Sequence, residues 1–332
     1  MHHRSDHRVK WLTALLITSL SLSCLSCHRE KSSDFRKDQI RETAQRAVSW
    51  VYKHPASFID GTFIEISEEI ITFYLLRNYE NDPAQKAEYV KEIQKRMELI
   101  ASQKDFKVKP QEYTMFLAVT DIGEKLGMDT MHFRKVIQGK ITSDPLTYPP
   151  HTTTNIWNTV YLQRLGYNPP KDIEKLMPLS TISKELNQGL LSQYTGAPYD
   201  ASYVDPISIT IYDLTHEIFS LTDFGQLPPP PLIAENWAFF ADLFNKTIEW
   251  AITAEHVDIL AELIMCVKLC DLTDIPSLDR GLDYVISRQE KDGSFGITNP
   301  GRENIYRHGI LVSIMALSMF SEKNNGVEAK HP

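Results

Sequence analysis

The sequence predicts an all-α protein built from about six helical hairpins. Three observations support this fold class. Apolar residues recur at three- and four-residue spacing along most of the 332 residues, and long strand patterns are missing. Nearly all-apolar segments alternate with amphipathic, charged segments. The apolar segments return about every 50 residues, which is the spacing of a repeat made of helix pairs.

The apolar segments form the predicted inner layer. A helix that is apolar on all sides has to be buried on all sides, so we expect these segments to build the interior. They begin near Ile64, Pro110, Thr152, Ser208, His256 and Tyr306.

The amphipathic segments form the predicted outer layer, because each sets Lys and Glu opposite one apolar face. They span residues 37–53, 83–103, 131–138, 173–186, 234–253 and 276–289. One outer and one inner helix make a hairpin, and the hairpins either close into a ring or stack as an open α-solenoid.

Composition excludes one class of partner. The chain has 42% hydrophobic and 23% charged residues, as folded globular proteins do. Its formal net charge is −8 and no basic stripe occurs, so we expect no nucleic-acid partner. Cys266 and Cys270 share one face of a predicted helix, where a disulfide would be strained, so we expect two buried thiols.

The N-terminus has the pattern of a signal peptide. Arg4, Arg8 and Lys10 precede an apolar run at residues 11–22 that is too short to span a bilayer. The run leads into Cys24 and Cys27, each preceded by a serine, and this resembles a bacterial lipoprotein signal. The resemblance implies lipidation of Cys24, with Cys27 as the alternative. An ordinary secretory signal is the other interpretation.

These features give a predicted domain organisation. A lipoprotein-type signal peptide occupies residues 1–23, a tether 24–34, one helical domain 35–322, and a disordered tail 323–332. We therefore expect a protein of the bacterial cell envelope that is anchored to the membrane by an N-terminal lipid, on the periplasmic side or the outer surface.

A turn near the end of the chain carries a second resemblance. Residues 289–296 read Gln-Glu-Lys-Asp-Gly-Ser-Phe-Gly and lie between an amphipathic and an apolar helix. This turn resembles the repeat of the terpenoid cyclase and protein prenyltransferase superfamily. The resemblance implies an (α/α)6 toroid with a site in its central cavity, at the first turns of the inner helices. The open α-solenoid stays as the alternative.

The densest candidate site lies at the start of the fourth inner helix. Asp213 and His216 are three residues apart on one helix face, and Tyr212 lies close to the same face. A carboxylate so placed can orient a histidine, so we expect Asp213 to hold His216. Tyr212 or His308 would then act as acid or base.

A glycan is one expected substrate, because toroid lyases use Asn, His, Tyr and Arg side chains and glycosidases use paired carboxylates. A lyase or hydrolase acting on a glycan is accordingly the favoured enzyme class. The candidate substrate-binding residues are Asn155, Trp157, Arg307, Tyr306 and Glu68.

Zinc is the candidate cofactor. His308 opens the last inner helix and resembles a zinc ligand of prenyltransferase β subunits. Together with His216, His256 and Asp258 it would form a metal site. The Asp-x-Cys pair that those enzymes place on the preceding inner helix is absent, so a zinc-dependent transferase or cyclase ranks below glycan chemistry.

Two classes of function remain open. The first is an enzyme whose cavity binds a small molecule, glycan or peptide and uses acid–base or metal-assisted chemistry. The second is a non-catalytic ligand-binding or scaffold lipoprotein. Polar residues converging at the start of the inner helices would favour the enzyme.

Overall fold

The structure is a computed structural model that describes residues 36–58, 63–103, 108–143, 151–188, 206–295 and 306–321. Within these ranges all regular elements are helices, and the β-type pairing is limited to an isolated bridge between Gln289 and Phe295. The all-α prediction is confirmed. The predicted signal peptide, both lipidation candidates Cys24 and Cys27, the tether and the tail lie outside the described residues.

Six helices form the inner layer. They are α2 (Phe63–Tyr79), α4 (Tyr113–Lys125), α6 (Thr152–Arg164), α9 (Pro206–Thr222), α12 (Val257–Leu269) and α14 (Tyr306–Ser321). In α12 every residue except Lys268 is buried. Each buried aliphatic side chain contributes about 1.5–3 kcal/mol, so such a helix has its place only in the interior.

The remaining helices cover the inner layer. They are α1 (residues 36–53), α3 (Pro83–Ala101), α5 (Met131–Ser143), α7 (Ile173–Leu176), α8 (Thr181–Gln188), α10 (Pro231–Glu235), α11 (Trp237–Thr253) and α13 (Leu278–Ser287). We call these the outer helices. Two predicted outer helices are interrupted: Pro178 lacks the N–H that a continuous helix needs, and Asn236 departs from helical dihedral angles.

The inner helices contact one another in a cyclic order. Along the chain α2 packs on α4, α4 on α6, α6 on α9, α9 on α12 and α12 on α14. The last of them, α14, packs on α2. Among the described residues, no helix is both long and apolar enough to cross a membrane.

The turn after α13 contacts the first helix of the chain. Gln289 Nε2 donates to the Thr43 carbonyl at 2.8 Å. Gly293 has a φ of +99°, and a Cβ there would lie 2.5 Å from the Arg46 carbonyl oxygen. Phe295 is buried in the core. The turn at residues 289–295 therefore packs against α1. Glycine is required at 293 because of its positive φ and because a Cβ would clash with the Arg46 carbonyl.

Three inner helices, α4, α6 and α9, end at a cluster of permanent charges, which we call the lower end. Lys125 Nζ lies 2.6 Å from both Asp121 Oδ2 and Asp223 Oδ2. Arg164 Nη1 lies 3.2 Å from Asp223 Oδ1. The side chains of Asp121 and Asp223 are only 5% and 8% exposed. Two cations therefore compensate two buried carboxylates near helix C-termini, where positive charge is favourable.

The two thiols of the described chain match expectation. Cys266 and Cys270 are free and buried in the core. Burial raises the pKa of Cys266 well above its usual range, and the neighbouring Cys270 raises it further. Both therefore stay protonated and behave as small apolar side chains.

Candidate functional site

Polar side chains converge where the inner helices begin, which we call the upper end. These side chains project from helices that are otherwise nearly apolar, so folding of the core brings them together. Glu68, Glu262 and His308 lie in the first two turns of α2, α12 and α14, and His216 lies about three turns into α9. The most connected set is Glu68, His308, Glu262 and His216, which we call the histidine–glutamate chain.

Glu262 lies at the centre of this chain. Its side chain is 1% exposed, and its Oε1 atom lies 3.3 Å from His308 Nε2 and 3.4 Å from His216 Nε2. Thr215 Oγ1 donates to the other carboxylate oxygen at 2.5 Å. The opposite ring nitrogen of His308, Nδ1, lies 3.0 Å from Glu68 Oε1. Two imidazole rings on different helices are thus held by one buried carboxylate.

The pKa values of this chain follow from its geometry. Burial by itself would raise the pKa of Glu262, but the charges and hydrogen bonds of His216 and His308 outweigh it and lower that pKa. Burial alone would lower the pKa of His308, but Glu68 and Glu262 raise it well above its ordinary value. Glu262 is therefore ionised and His308 protonated near neutral pH.

A second group lies beside the first. The Tyr212 hydroxyl donates to Asp258 Oδ2, and His256 Nδ1 contacts the other oxygen, Asp258 Oδ1. Burial would raise the pKa of Asp258, but the hydrogen bond and charge of His256 lower it. The Tyr212 ring stacks on the His216 ring with centroids 5.8 Å apart. The two groups therefore meet at Tyr212 and His216, as their spacing on one helix face predicts.

The predicted pairing of Asp213 with His216 is wrong. Asp213 Oδ2 lies 3.5 Å from His151 Nε2, whereas the His216 ring turns toward Glu262. Two residues three apart share a helix face but diverge when their side chains find partners on different neighbouring helices. Burial raises the pKa of Asp213, and the charge of His151 opposes that rise.

Two predicted substrate-binding residues line the same end. The Trp157 indole N–H donates to the His216 carbonyl, and its ring meets the His216 ring edge-on at 5.0 Å. Asn155 is 4% exposed, and among the described atoms its side-chain oxygen has no hydrogen-bond partner. Trp157 thus helps to hold His216, and Asn155 offers an acceptor.

Arg307 has a structural partner instead of a place in the histidine–glutamate chain. Its Nε donates to Glu69 Oε1 at 2.9 Å, and Arg96 Nε donates to Glu69 Oε2 at 2.5 Å. Glu69 is fully buried, so these two guanidinium groups compensate its charge. The side chain of Tyr306, the other predicted ligand residue on α14, lies outside the described residues.

Two further acidic residues of this end were given no role from the sequence. One is Glu262, and the other is Glu217, which accepts from the Thr181 N–H at 3.0 Å and from Thr153 Oγ1 at 3.2 Å. Burial raises the pKa of Glu217 to about 7. Both are acids within nearly all-apolar helices, where an ionisable side chain needs a partner. That sequence signal marks both as candidate residues, although it does not show what they contact.

The zinc ligands proposed from sequence do not form one set. His256 pairs with Asp258, whereas His216 and His308 lie on either side of Glu262. In the part of the chain that the structure describes, no group of three or more His, Cys, Asp or Glu residues is arranged to hold a metal ion. These four residues therefore do not form the zinc site that was considered from the sequence.

Fold and site together define an all-α protein with a partly buried histidine–carboxylate network toward the upper end of its inner helices. The chain belongs to the family described as a domain of unknown function, DUF6895, whose family model matches residues 62–304. Comparisons with curated proteins and with solved structures found no match. The matched residues include every member of the histidine–glutamate chain except His308.

Proposed function

We propose that this protein is a lipid-anchored enzyme of the bacterial cell envelope that binds a glycan at its upper end and cleaves it by acid–base chemistry. The domain is proposed to be an (α/α)6 toroid, supported by the cyclic contacts of α2, α4, α6, α9, α12 and α14. The resemblance of residues 289–296 to the terpenoid cyclase superfamily supports the same arrangement.

One observation carries the catalytic proposal. The buried Glu262 carboxylate holds two imidazole rings, and the His216 and His308 side chains remain 32% and 25% exposed. A histidine that is fixed from behind by a carboxylate and still accessible is suited to transfer a proton to a ligand. His308 is engaged by carboxylates at both ring nitrogens, so His216 is the better proton acceptor.

The charges at this end favour a neutral glycan over a uronate. Within the two groups described, the ionic partner of Glu68, Glu262 and Asp258 is a histidine, and Arg307 is held by Glu69. An anionic sugar would bring further negative charge next to these carboxylates. Hydrolysis also needs a proton donor, and Asp213, with its raised pKa and a 21% exposed side chain, is our candidate.

The test is turnover of a defined glycan panel by the purified full-length protein. The panel contains chitooligosaccharides, peptidoglycan fragments and oligogalacturonates, and mass spectrometry reads the products. We expect hydrolysis of the neutral chitooligosaccharides in preference to the anionic oligogalacturonates. His216→Gln should lower kcat by at least about 100-fold with little change in KM, as loss of a general base does. Gln39→Ala on the exposed face of α1 is the matched control.

Unsaturated products from oligogalacturonates would replace the hydrolase with a lyase. Products that form equally well with His216→Gln would remove His216 from the mechanism. An absence of both binding and turnover across the panel would overturn the proposed glycan function.

A second function is favoured by a separate observation. His216, His308, Glu262 and Asp258 already have partners within the protein, so the network can serve to stabilise the fold around a non-catalytic ligand site. Binding of a panel member without any product would support this ligand-binding or scaffold lipoprotein.

The lipid anchor has its own test. Metabolic labelling with an alkyne fatty acid should modify the wild-type protein and not Cys24→Ala. Labelling that persists in Cys24→Ala but disappears in Cys27→Ala would assign the lipid to Cys27. An unlabelled wild type in the soluble fraction would contradict the anchor.

A further inference from the structure

A second concave site lies away from the histidine–glutamate chain. It is a cleft of about 860 Å³ between α1, α2, α3 and α14, near the end of α2 and the end of α14. Tyr79 and Ser318 line it, ten or more residues beyond the upper-end residues of the same helices. At that spacing the two sites are about 15 Å apart along the helix axes. Its volume is in the range of small-molecule sites, about 300–1,000 Å³.

Aromatic rings and amides line this cleft. Three tyrosines, Tyr52, Tyr79 and Tyr89, provide flat apolar faces with a hydroxyl at the edge. Gln45 and Gln85 provide amide groups that both donate and accept hydrogen bonds. Such a lining fits a ligand that has apolar C–H faces and many hydroxyl groups.

The charged residues of the cleft are already engaged. Arg41 Nη1 lies 3.0 Å from Asp38 Oδ1, and Arg41 also donates to the Ser321 carbonyl. Glu80 accepts the N–H groups of Asn81 and Asp82 at 2.7 and 3.0 Å. The Asp82 carboxylate accepts the Ala84 N–H and caps α3. The two carboxylates thus already accept backbone hydrogen bonds, and the amides and hydroxyl groups of the cleft supply the neutral groups for a ligand.

One hydroxyl at this cleft has no partner among the described atoms. The Tyr52 hydroxyl is buried and forms no hydrogen bond within the described chain. Burial raises its pKa, and Tyr89 raises it further, so the proton is retained and available for donation. Tyr89, by contrast, is hydrogen-bonded by Gln85, and burial raises its pKa to about 12. A buried hydroxyl without a partner is costly, and a ligand oxygen would remove that cost.

We propose that this cleft is a second ligand site, which binds a short uncharged oligosaccharide through stacking on its tyrosines and hydrogen bonds to Tyr52 and Gln45. A sugar ring offers an apolar C–H face to an aromatic ring and hydroxyl groups to amides, which is the chemistry of this lining. The proposal does not depend on catalysis at the upper end.

The experiment is isothermal titration of the full-length protein with chitotriose and with maltotriose, and spermidine serves as the cationic comparator. We expect one of the two sugars to bind. Tyr52→Phe and Gln45→Ala should each weaken it about 5- to 10-fold, the effect of one hydrogen bond. Gln39→Ala removes an exposed amide from the same helix outside the cleft and should bind as the wild type does.

Two further measurements keep the outcome specific. Thermal unfolding should show Tyr52→Phe at least as stable as the wild type, because the variant removes only an unpaired buried hydroxyl. Asn155→Ala, which removes the acceptor offered at the upper end, should leave this binding unchanged. Sugar binding that is lost in Asn155→Ala and kept in Tyr52→Phe would place the sugar at the upper end and overturn the cleft. Tighter binding of spermidine, or no binding of either sugar, would overturn it as well.

Discussion

Buried carboxylates occur at both ends of the inner helices, but different basic side chains lie beside them at the two ends. At the lower end Lys125 and Arg164 compensate the buried carboxylates Asp121 and Asp223. At the upper end the buried carboxylates lie beside histidines, His308 and His216 at Glu262 and His256 at Asp258. Lys and Arg keep their charge across the physiological pH range, whereas histidine loses it. The charges at the lower end are therefore constant near neutral pH, whereas the charge of His308 at the upper end depends on pH.

The largest expected effect lies at the lower end. Lys125→Met leaves two nearly buried carboxylates with only Arg164 nearby, and it should destabilise the fold by about 3–5 kcal/mol. Urea unfolding at neutral pH measures this loss. Lys246→Met, which breaks an exposed pair with Asp242, is the matched control and should change stability by less than about 0.5 kcal/mol. Equal losses in the two variants would mean that the lower cluster is not a structural centre.

The next effect lies at the upper end and depends on pH. Glu262→Gln removes the carboxylate between two histidines and should cost about 2–3 kcal/mol at acidic pH. The raised pKa of His308 gives stability that is complete below about pH 6.5 and lost as pH rises through the folded pKa. The lowered pKa of Glu262 gives stability that is complete above about pH 4.3 and lost as pH falls through the folded pKa.

The pH range in which the stability contributions of His308 and Glu262 are both complete is therefore about pH 4.3 to 6.5. Urea unfolding at about pH 5.5 and about pH 9 should show a smaller cost of Glu262→Gln at the higher pH. The same cost at both pH values would show that the charge of His308 does not contribute, and the contrast between the two ends would fail.

An uncharged backbone contact should have an effect of intermediate size. Because it does not depend on pH, it serves as a reference for the two charged clusters. Gly293→Ala puts a Cβ 2.5 Å from the Arg46 carbonyl at a φ of +99°, so we expect a loss of about 2 kcal/mol. Gly127→Ala has a similar positive φ and open space around its Cβ, so it should cost only about 1 kcal/mol. Both losses should be independent of pH. A smaller loss for Gly293→Ala than for Gly127→Ala would remove the turn as a fastening point.

The substitution with the smallest expected effect on stability, Asp213→Asn, tests function separately from folding. Asp213→Asn weakens a partly exposed contact with His151 and should change the unfolding free energy by less than about 1 kcal/mol. As the proposed proton donor, Asp213 should nevertheless be needed for turnover. A stability loss comparable to that of Glu262→Gln would make Asp213 part of the structural core instead.

Sequence reasoning recovered the layers of the fold, because burial on all sides leaves a pattern that is local in the chain. The start of α12 beside His256 and the start of α2 beside Ile64 follow from that pattern. The break at Pro178 was missed, although a proline in a helix interior is itself a local signal.

The sequence predicted which residues lie close together at the upper end, but it did not predict which of them contact one another. His216, His308, Tyr212 and Asp258 do lie together at the upper end. The partner of His216 is Glu262 on another helix, and no spacing within one helix reports such a contact. Arg307 was assigned to a ligand for the same reason, because its partner Glu69 lies 238 residues away in the chain.

The contact of α1 with the end of the chain bears on how the domain can be rebuilt. Arg41 donates to the Ser321 carbonyl, and Gln289 donates to the Thr43 carbonyl, so the first and last helices are neighbours. A short linker would then join residue 321 to residue 36, and new termini can be opened in an exposed connection such as that after α4. A circular permutant of this kind should fold, since the order in which the hairpins are synthesised is not what holds the helices together.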